Sequence, residues 1–185
     1  WHVIPLGLDL SALAQLPRSN GAAAVRCGIV GRLVPIKNPS LFLQAFDQAV
    51  RQQPGVPLRG RVVGDGPLYQ TLEREVRRLG LEALIQFTGW QLDLRSVYEG
   101  LDVTCVTSWN EGTPVALIEA MAAGCAVVAT DVGGVRDVLD DEERPRTPIA
   151  PGTFQVTGRG IVVRPGDVAG LAGALTTVAR DAALR

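Results

Sequence analysis

Short apolar runs alternate with amphipathic stretches along most of this chain, and few folds are compatible with that alternation. Segments with helical periodicity or helix-start signals lie between and after the runs, at 39–52, 67–79, 92–99, 114–123, 135–139 and 167–184. The runs themselves have the length of strands and lie at 25–30, 60–63, 85–88, 103–107, 126–130 and 160–163. This order predicts an α/β fold: a doubly wound, mostly parallel, Rossmann-like sheet with helices on both faces. Ligands of such sheets bind at the carboxyl ends of the strands.

The composition is that of one domain with a sizeable core. The chain has 185 residues, of which 46% are hydrophobic. Its net charge of −1 gives no indication of a nucleic-acid partner, and no apolar run approaches the roughly 20 residues of a membrane span. Cys27, Cys105 and Cys125 lie in apolar runs at a spacing that matches no zinc motif. We therefore expect reduced core thiols and a cytoplasmic location.

The first residues suggest that the sequence is a piece of a longer polypeptide, because it opens without Met and without a signal-peptide pattern. We expect 1–20 to be an interdomain linker segment and 21–185 to be the Rossmann-like domain. His2 is the only histidine, so we expect neither a His-based catalytic set nor a metal site. The stretch 140–157 begins with acidic residues, contains three prolines and has no clear period, which predicts a surface loop.

Two glutamates, Glu111 and Glu119, flank a predicted helix start. Thr113 is a favourable N-cap and Pro114 suits the first helical position. Glu119 is the only charged residue of that helix, and an apolar helix is usually a buried one. A buried carboxylate needs a hydrogen-bonding partner from the protein or from a ligand, and a sugar diol is one candidate. Glu111 precedes the helix N-terminus, which favours anions, so the segment predicts a nucleotide-sugar site.

Two cations follow the first predicted strand. Gly31 and Arg32 come directly after it, and Lys37 lies five residues beyond Arg32. An Arg that can bind two oxygens and a flexible Lys are suited to a diphosphate, although alone they would equally be solvated surface charges. Together with Glu111 and its helix terminus, they favour a diphosphate site.

Glycine turns follow the next two predicted strands. Gly64 and Gly66 form a tight turn in which a ligand could approach the backbone, but taken alone the motif favours a well-made turn without a ligand. Tyr69 stands where the third glycine of a dinucleotide fingerprint would fall, which argues against a dehydrogenase. Trp90 could stack on a nucleobase or simply cover the sheet edge.

Taken together and in order, these motifs resemble the C-terminal, nucleotide-sugar-binding domain of the retaining GT-B glycosyltransferases of family 4, the glycosyl transferases group 1. The most specific part of the resemblance is the pair Glu111 and Glu119 with Arg32 and Lys37 upstream. The other matching pieces are Val3-Ile4-Pro5-x-Gly7-x-Asp9, Gly64-Asp65-Gly66-Pro67, Phe87-Thr88-Gly89 and Thr130-Asp131-Val132-Gly133-Gly134. The stretch 140–157 looks expanded relative to the family.

The resemblance implies catalytic roles for three residues. Arg32 and Lys37 would bind the donor diphosphate and stabilise it as leaving group, while Glu111 would contact the donor sugar. It implies that Glu119 binds the ribose hydroxyls. Transfer would retain the anomeric configuration and need neither a bound metal nor a cofactor beyond the nucleotide diphosphate sugar, and the sequence contains no Asp-x-Asp pair.

The resemblance also implies backbone contacts to the donor. The amides of Gly112, Thr113 and Val115 would face the sugar and phosphate, and the loops at 64–67 and 89–90 would hold the base. The residues concerned are Gly31, Gly64, Gly66, Trp90, Gly112, Thr113 and Val115.

Two other functions stay open on the sequence. One is a non-catalytic nucleotide-binding module, and the other is a related sugar-nucleotide enzyme such as an epimerase. The expected partners are a nucleotide sugar and the protein's own N-terminal acceptor-binding domain, through which peripheral membrane association is conceivable. A further α/β domain before Trp1 would favour the transferase.

Overall fold

The computed structural model describes residues 7–17, 24–55, 57–140 and 147–185. Within these ranges seven strands form one sheet in the order β3-β2-β1-β4-β5-β7-β6. The strands are β1 (Val25–Val30), β2 (Leu58–Val63), β3 (Ile85–Gly89), β4 (Val103–Val106), β5 (Ala126–Thr130), β6 (Phe154–Val156) and β7 (Ile161–Val163). All neighbouring strands are parallel except β6 and β7. The doubly wound α/β sheet predicted from the sequence is therefore confirmed.

Helices cover both faces of the sheet. They are α1 (Pro39–Gln52), α2 (Tyr69–Leu79), α3 (Leu94–Glu99), α4 (Val115–Ala122), α5 (Val135–Leu139) and α6 (Val168–Arg180), with 3₁₀ turns at Pro35–Lys37 and Ala182–Leu184. One core cluster lies beneath α1, α2 and α6, and a second lies beneath α3, α4 and α5. Two apolar layers on one sheet explain why its central strands are nearly continuous apolar runs.

Strands β1 and β5 and helices α1 and α5 have their predicted bounds, and helix α6 has a strong local start signal. Helix α6 begins after Asp167, whose carboxylate accepts a hydrogen bond from the amide of Gly170 at 2.9 Å. Cys27, Cys105 and Cys125 are buried, as expected, and the Cys125 thiol donates to the carbonyl of Leu101 at 3.3 Å. Burial raises the pKa of the Cys27 thiol to about 12, so it stays protonated. In the described residues no helix is long and apolar enough to cross a bilayer.

Two local predictions are wrong. The stretch 140–157 is not wholly a loop, because Phe154–Val156 pairs antiparallel with β7 at the sheet edge. An edge strand has only one partner, so it needs no continuous apolar run and gives a weak sequence signal. Helix α4 begins at Val115 rather than at Pro114, and Pro114 holds the cap position without a side-chain cap.

Helix α4 is also less buried than its composition predicts. Only Leu117 and Ala120 are fully buried, and the remaining helix residues, Glu119 included, are partly exposed. Three of its residues, Val115, Ala116 and Glu119, line an open cleft at the carboxyl ends of the strands. Composition alone cannot distinguish a buried apolar helix from one whose apolar side faces a cleft.

The predicted linker falls partly outside the described residues, as do the proposed Val3–Pro5 motif and His2. In the described part, Leu13 is 2% exposed and packs against the cluster beneath α3, α4 and α5. The carbonyl of Ala12 accepts a hydrogen bond from the Arg95 guanidinium at 3.4 Å. Residues 10–16 therefore lie against the domain.

Candidate functional site

A cleft of about 380 Å³ opens at the carboxyl edge of the sheet, between the ends of β1 and β4. The chain order reverses between these two strands, since β1 has β2 on one side and β4 on the other. Loops that leave neighbouring parallel strands in opposite directions separate there and create a crevice. The predicted site residues that line it are Gly31, Arg32, Lys37, Gly64, Trp90, Glu111, Thr113, Val115 and Glu119.

The floor of the cleft depends on a close backbone crossing at Gly64. Its φ is +131°, and a Cβ placed there would lie 1.9 Å from the carbonyl oxygen of Gly31. Any larger residue at position 64 would displace the β1 loop that carries Arg32. Gly66 does not line the cleft; a Cβ there would lie 2.5 Å from the carbonyl oxygen of Leu33. Gly66 therefore shapes the turn behind the site.

Lys37 and Glu111 form an ion pair on the cleft wall. The Lys37 ammonium donates to Glu111 Oε1 at 2.6 Å and to Oε2 at 2.9 Å. The Ser108 hydroxyl also donates to Oε1, at 2.5 Å. The Glu111 side chain is 8% exposed and that of Lys37 is 35% exposed. Both oxygens of Glu111 are thus held by the protein, a pairing that the sequence did not reveal.

Two threonines hold the loops that carry this pair. The Thr107 hydroxyl donates to the carbonyl of Lys37 at 2.9 Å, and the Thr130 hydroxyl donates to the carbonyl of Ser108 at 2.7 Å. Ser108, Thr107 and Thr130 are all buried. Sequence reasoning assigned them no role, because a hydroxyl at a strand end is common; a Thr-Ser pair directly after an apolar run was the only available signal.

The Gly133-Gly134 turn after β5 supports the Glu111 loop from behind. A Cβ on Gly133, whose φ is +49°, would lie 1.7 Å from the Glu111 carbonyl oxygen. The Gly134 amide donates to that same carbonyl at 3.2 Å. Gly112 does not line the cleft, and its carbonyl faces this turn instead. The motif after β5 therefore approaches the site.

Arg136 anchors that turn to the sheet. Its guanidinium donates to both carboxylate oxygens of Asp131, at 2.8 and 2.9 Å, and to Gln155 Oε1 at 2.8 Å. Arg136 Nη1 also lies 3.5 Å from Oδ2 of Asp140, which comes four residues later. The hydrogen bond and charge of Asp131 raise the pKa of Arg136 despite its burial. The pairing with Gln155 gives β6 a structural link to the motif after β5.

Arg32 differs from Lys37 because it forms no hydrogen bond or ion pair with any residue that the structure describes. Its side chain is exposed at the cleft. At the start of α4, the Val115 amide donates to the Thr113 carbonyl at 2.9 Å. It is therefore occupied within the protein, whereas the amides of Gly112 and Thr113 have no acceptor in the described residues.

Glu119 reaches the cleft from α4, and the protein supplies it with a partner. The Tyr98 hydroxyl donates to Glu119 Oε2 at 2.9 Å. Tyr98 lies in α3 and is 2% exposed. The sequence did not predict this contact, since Tyr98 occupies a core position of an amphipathic helix and lies 21 residues from Glu119.

Trp90 is 65% exposed and lines the cleft, so it does not simply cover the sheet edge. Gln91 and Leu94 lie beside it and were not singled out from the sequence. In the described residues no group of three or more His, Cys, Asp or Glu side chains is arranged to hold a metal ion. The arrangement offers cations, carboxylates and an exposed aromatic ring around one cleft, which suits a phosphorylated ligand with a planar base.

Residues 24–181 match the sequence model of the glycosyl transferases group 1. The chain is 33% identical to a D-inositol 3-phosphate glycosyltransferase of Kineococcus radiotolerans over 202 aligned positions, covering 99% of this chain and 44% of that protein. It thus spans less than half the length of this curated relative.

Solved structures share the fold. The Anabaena protein HepE in complex with UDP-glucose superposes with a TM-score of 0.70 at 25% identity, over 96% of this chain and 47% of that one. The C-terminal domain of the group 1 family protein LpcC from Francisella tularensis gives a TM-score of 0.73 at 25% identity, over 96% and 90% of the two chains. This chain therefore belongs to the glycosyl transferases group 1 and corresponds to the C-terminal domain of a GT-B enzyme.

Proposed function

We propose that this chain is the donor-binding half of a glycosyltransferase that moves a sugar from a nucleoside diphosphate sugar to an acceptor, with retention and without a metal ion. The acceptor would be held by an N-terminal domain of the same protein. The observation that carries the proposal is the cleft between β1 and β4, which brings Arg32, Lys37, Glu111 and Glu119 together.

Arg32 is the primary diphosphate ligand in this proposal. It is exposed, lines the cleft and has no partner among the described residues, so no existing bond is lost when it binds an anion. A guanidinium can bind two phosphate oxygens at once. Thr113 lines the same cleft, and its amide, which has no acceptor among the described residues, adds a further donor.

Lys37 connects the diphosphate to the sugar. Two of its three ammonium protons are used by Glu111, which leaves one for a phosphate oxygen. As the bond between sugar and diphosphate breaks, negative charge grows on the leaving oxygen, and Lys37 and Arg32 stabilise it there. A preorganised cation gains most when it acts on charge that develops in the transition state.

Glu111 orients the sugar in this scheme rather than attacking it. A carboxylate with both oxygens held by Lys37 and Ser108 is a poor nucleophile, but it still has lone pairs for a sugar hydroxyl. Glu119 binds the ribose, and the exposed ring of Trp90 lies where it can contact the base. HepE shares the fold and has been solved in complex with UDP-glucose, so UDP sugars are the first donors to test.

The proposal is tested in two steps. Thermal shift of the 185-residue chain with a panel of nucleotide sugars identifies the donor, since a ligand at 100 times its Kd adds about 2.7 kcal/mol to the free energy of unfolding. NMR of the product made by the full-length protein then reports anomeric configuration, with and without EDTA. We expect retention and equal rates. Inversion would refute the retaining assignment, and loss of rate in EDTA that added metal restores would refute metal independence.

A further inference from the structure

We propose that Tyr98 is a positioning residue for the donor, because its hydroxyl fixes the Glu119 carboxylate in the orientation that meets the nucleotide's ribose. This inference rests on the proposed function, in which Glu119 binds ribose. Tyr98 does not line the cleft, whereas Glu119 does. Its effect on a ligand would therefore pass through Glu119.

The hydrogen bond selects one of two acceptors. The Tyr98 oxygen lies 2.9 Å from Glu119 Oε2 and 3.2 Å from the carbonyl oxygen of Ala116. A phenol has a single proton, and an ionised acceptor at the shorter distance forms the stronger bond. The proton is thus directed to Glu119 Oε2.

Glu119 has no other anchor among the described residues. No further hydrogen bond or ion pair to its carboxylate occurs in the part of the chain that the structure describes. A glutamate on a partly exposed helix has several accessible rotamers, and ordering it on binding lowers affinity. By holding Oε2, Tyr98 fixes the rotamer in advance and leaves Oε1 without a protein donor, free to accept from a ribose hydroxyl.

The Tyr98 side chain is buried and keeps its proton near neutral pH. Its ring is 2% exposed within the core cluster beneath α3, α4 and α5, and its carbonyl accepts from the Leu101 amide at 3.0 Å. Burial, together with the nearby charge of Glu119, raises the pKa of Tyr98 above its ordinary value. The hydroxyl is therefore a donor near neutral pH.

The test compares Tyr98→Phe with Tyr69→Phe by calorimetry on the 185-residue chain. Tyr69 is the chain's other tyrosine; it packs on Phe87 in the opposite core cluster and does not line the cleft. Each variant loses one hydroxyl and keeps its ring. The ligands are UDP and 2′,3′-dideoxy-UDP, which differ only in the ribose hydroxyls.

We expect Tyr98→Phe to weaken UDP binding about five- to tenfold, less than loss of a whole charged hydrogen bond because the carboxylate remains. Dideoxy-UDP should bind the variant and the wild type equally, and Tyr69→Phe should change neither affinity. In a Glu119→Ala background, Tyr98→Phe should have no further effect on UDP. Equal weakening of both ligands, or unchanged UDP affinity, would overturn the positioning role.

A measurement on the unsubstituted protein covers the case in which Tyr98→Phe does not fold. The Tyr98 hydroxyl proton should give a slowly exchanging NMR resonance that shifts on adding UDP and stays in place with dideoxy-UDP. A resonance that responds identically to both would contradict the inference. If the wild type binds neither nucleotide, the proposed function fails, and this inference with it.

Discussion

Two ion pairs connect β1 and β4, and their geometries differ. One lies at the amino ends of the two strands, here called the lower edge, and the other lies beyond their carboxyl ends, here called the upper edge. At the lower edge, Arg26 donates to both oxygens of Asp102, through Nη2 at 2.8 Å and Nε at 3.1 Å. The Arg26 backbone amide adds a third bond to Asp102, at 2.8 Å. At the upper edge, Lys37 holds Glu111 with one nitrogen atom.

This difference in geometry suggests that the Arg26–Asp102 pair is structural, whereas the Lys37–Glu111 pair can share its cation with a ligand. Arg26 and Asp102 do not line the cleft, and the planar guanidinium is bound in a fixed bidentate geometry. Lys37 and Glu111 do line it, and an ammonium on a flexible stem can turn toward a ligand without leaving its carboxylate. We therefore expect the lower pair to affect stability and the upper pair to affect transfer.

The largest expected effect is on turnover. In the full-length protein, Lys37→Ala or Arg32→Ala should lower kcat/KM by about ten- to a hundredfold, because each removes a charged contact to the leaving diphosphate. The free energy of unfolding should change little in Arg32→Ala, because Arg32 is exposed and has no partner among the described residues. Lys37→Ala should also lower the free energy of unfolding, since it leaves the buried Glu111 carboxylate without its cation. Steady-state kinetics measures turnover, and urea unfolding measures stability. Wild-type turnover in the two variants would contradict the roles assigned to Arg32 and Lys37.

Arg26→Ala should show the opposite pattern. It leaves Asp102 partly buried without its main partner, at a cost of about 1–2 kcal/mol in the free energy of unfolding. Affinity for the donor should be unchanged. Arg51→Ala is the control, since Arg51 forms an exposed i,i+4 pair with Asp47 that should contribute less than about 0.5 kcal/mol. Weakened donor binding by Arg26→Ala would contradict the claim that the lower pair affects stability and the upper pair affects transfer.

Much of this architecture could be predicted from sequence, because its signals are local. Strands buried on both faces appear as apolar runs, as at β1 and β5, and Asp167 marks the start of α6. The contacts that organise the site are not local. The partner of Glu119 lies in α3, and the partner of Glu111 lies 74 residues earlier at Lys37.

The sequence predicted that Lys37 and Glu111 belong to one site, but it indicated a different ligand group for each, a diphosphate for Lys37 and a sugar for Glu111. Pairing between them depends on the register of β1 and β4, which aligns Ile29 with Cys105 and brings the two following loops together. Register between strands distant in sequence leaves no trace in either strand's composition. The edge strand β6 was missed for a different reason, since a strand with one partner needs no continuous apolar run.

Within the upper site, the two glutamates should separate binding from transfer. Glu119→Gln should weaken UDP binding about five- to tenfold, because the charged acceptor for ribose hydroxyls is lost. Glu111→Gln should keep UDP affinity and reduce transfer, since its proposed partner is the sugar. Calorimetry with UDP and kinetics with the donor sugar distinguish them. Equal losses of UDP affinity in both variants would show that their roles are misassigned.

The smallest effect is on acid stability. Burial alone would raise the pKa of Asp102, but hydrogen bonds and charge from Arg26 outweigh it, so the net pKa is lowered from 3.8. A lowered folded-state pKa adds stability above the unfolded value, and that stability is lost as pH falls through the folded-state pKa. The stability difference between wild type and Arg26→Ala should therefore be constant near neutral pH and shrink below about pH 4. A difference that persists undiminished at pH 3 would contradict this.

The central claim is that the cations at the β1–β4 cleft bind the donor diphosphate, and calorimetry of UDP against uridine tests it most directly. Arg164 provides a matched control, because it is exposed after β7 at the same sheet edge but does not line the cleft. We predict that the 185-residue chain binds UDP weakly at one site, that uridine binds at least tenfold more weakly, and that EDTA changes neither. Arg32→Ala should reduce UDP affinity about tenfold, and Arg164→Ala should leave it unchanged. Equal binding of uridine and UDP, or equal UDP affinity in wild type and Arg32→Ala, would contradict the claim.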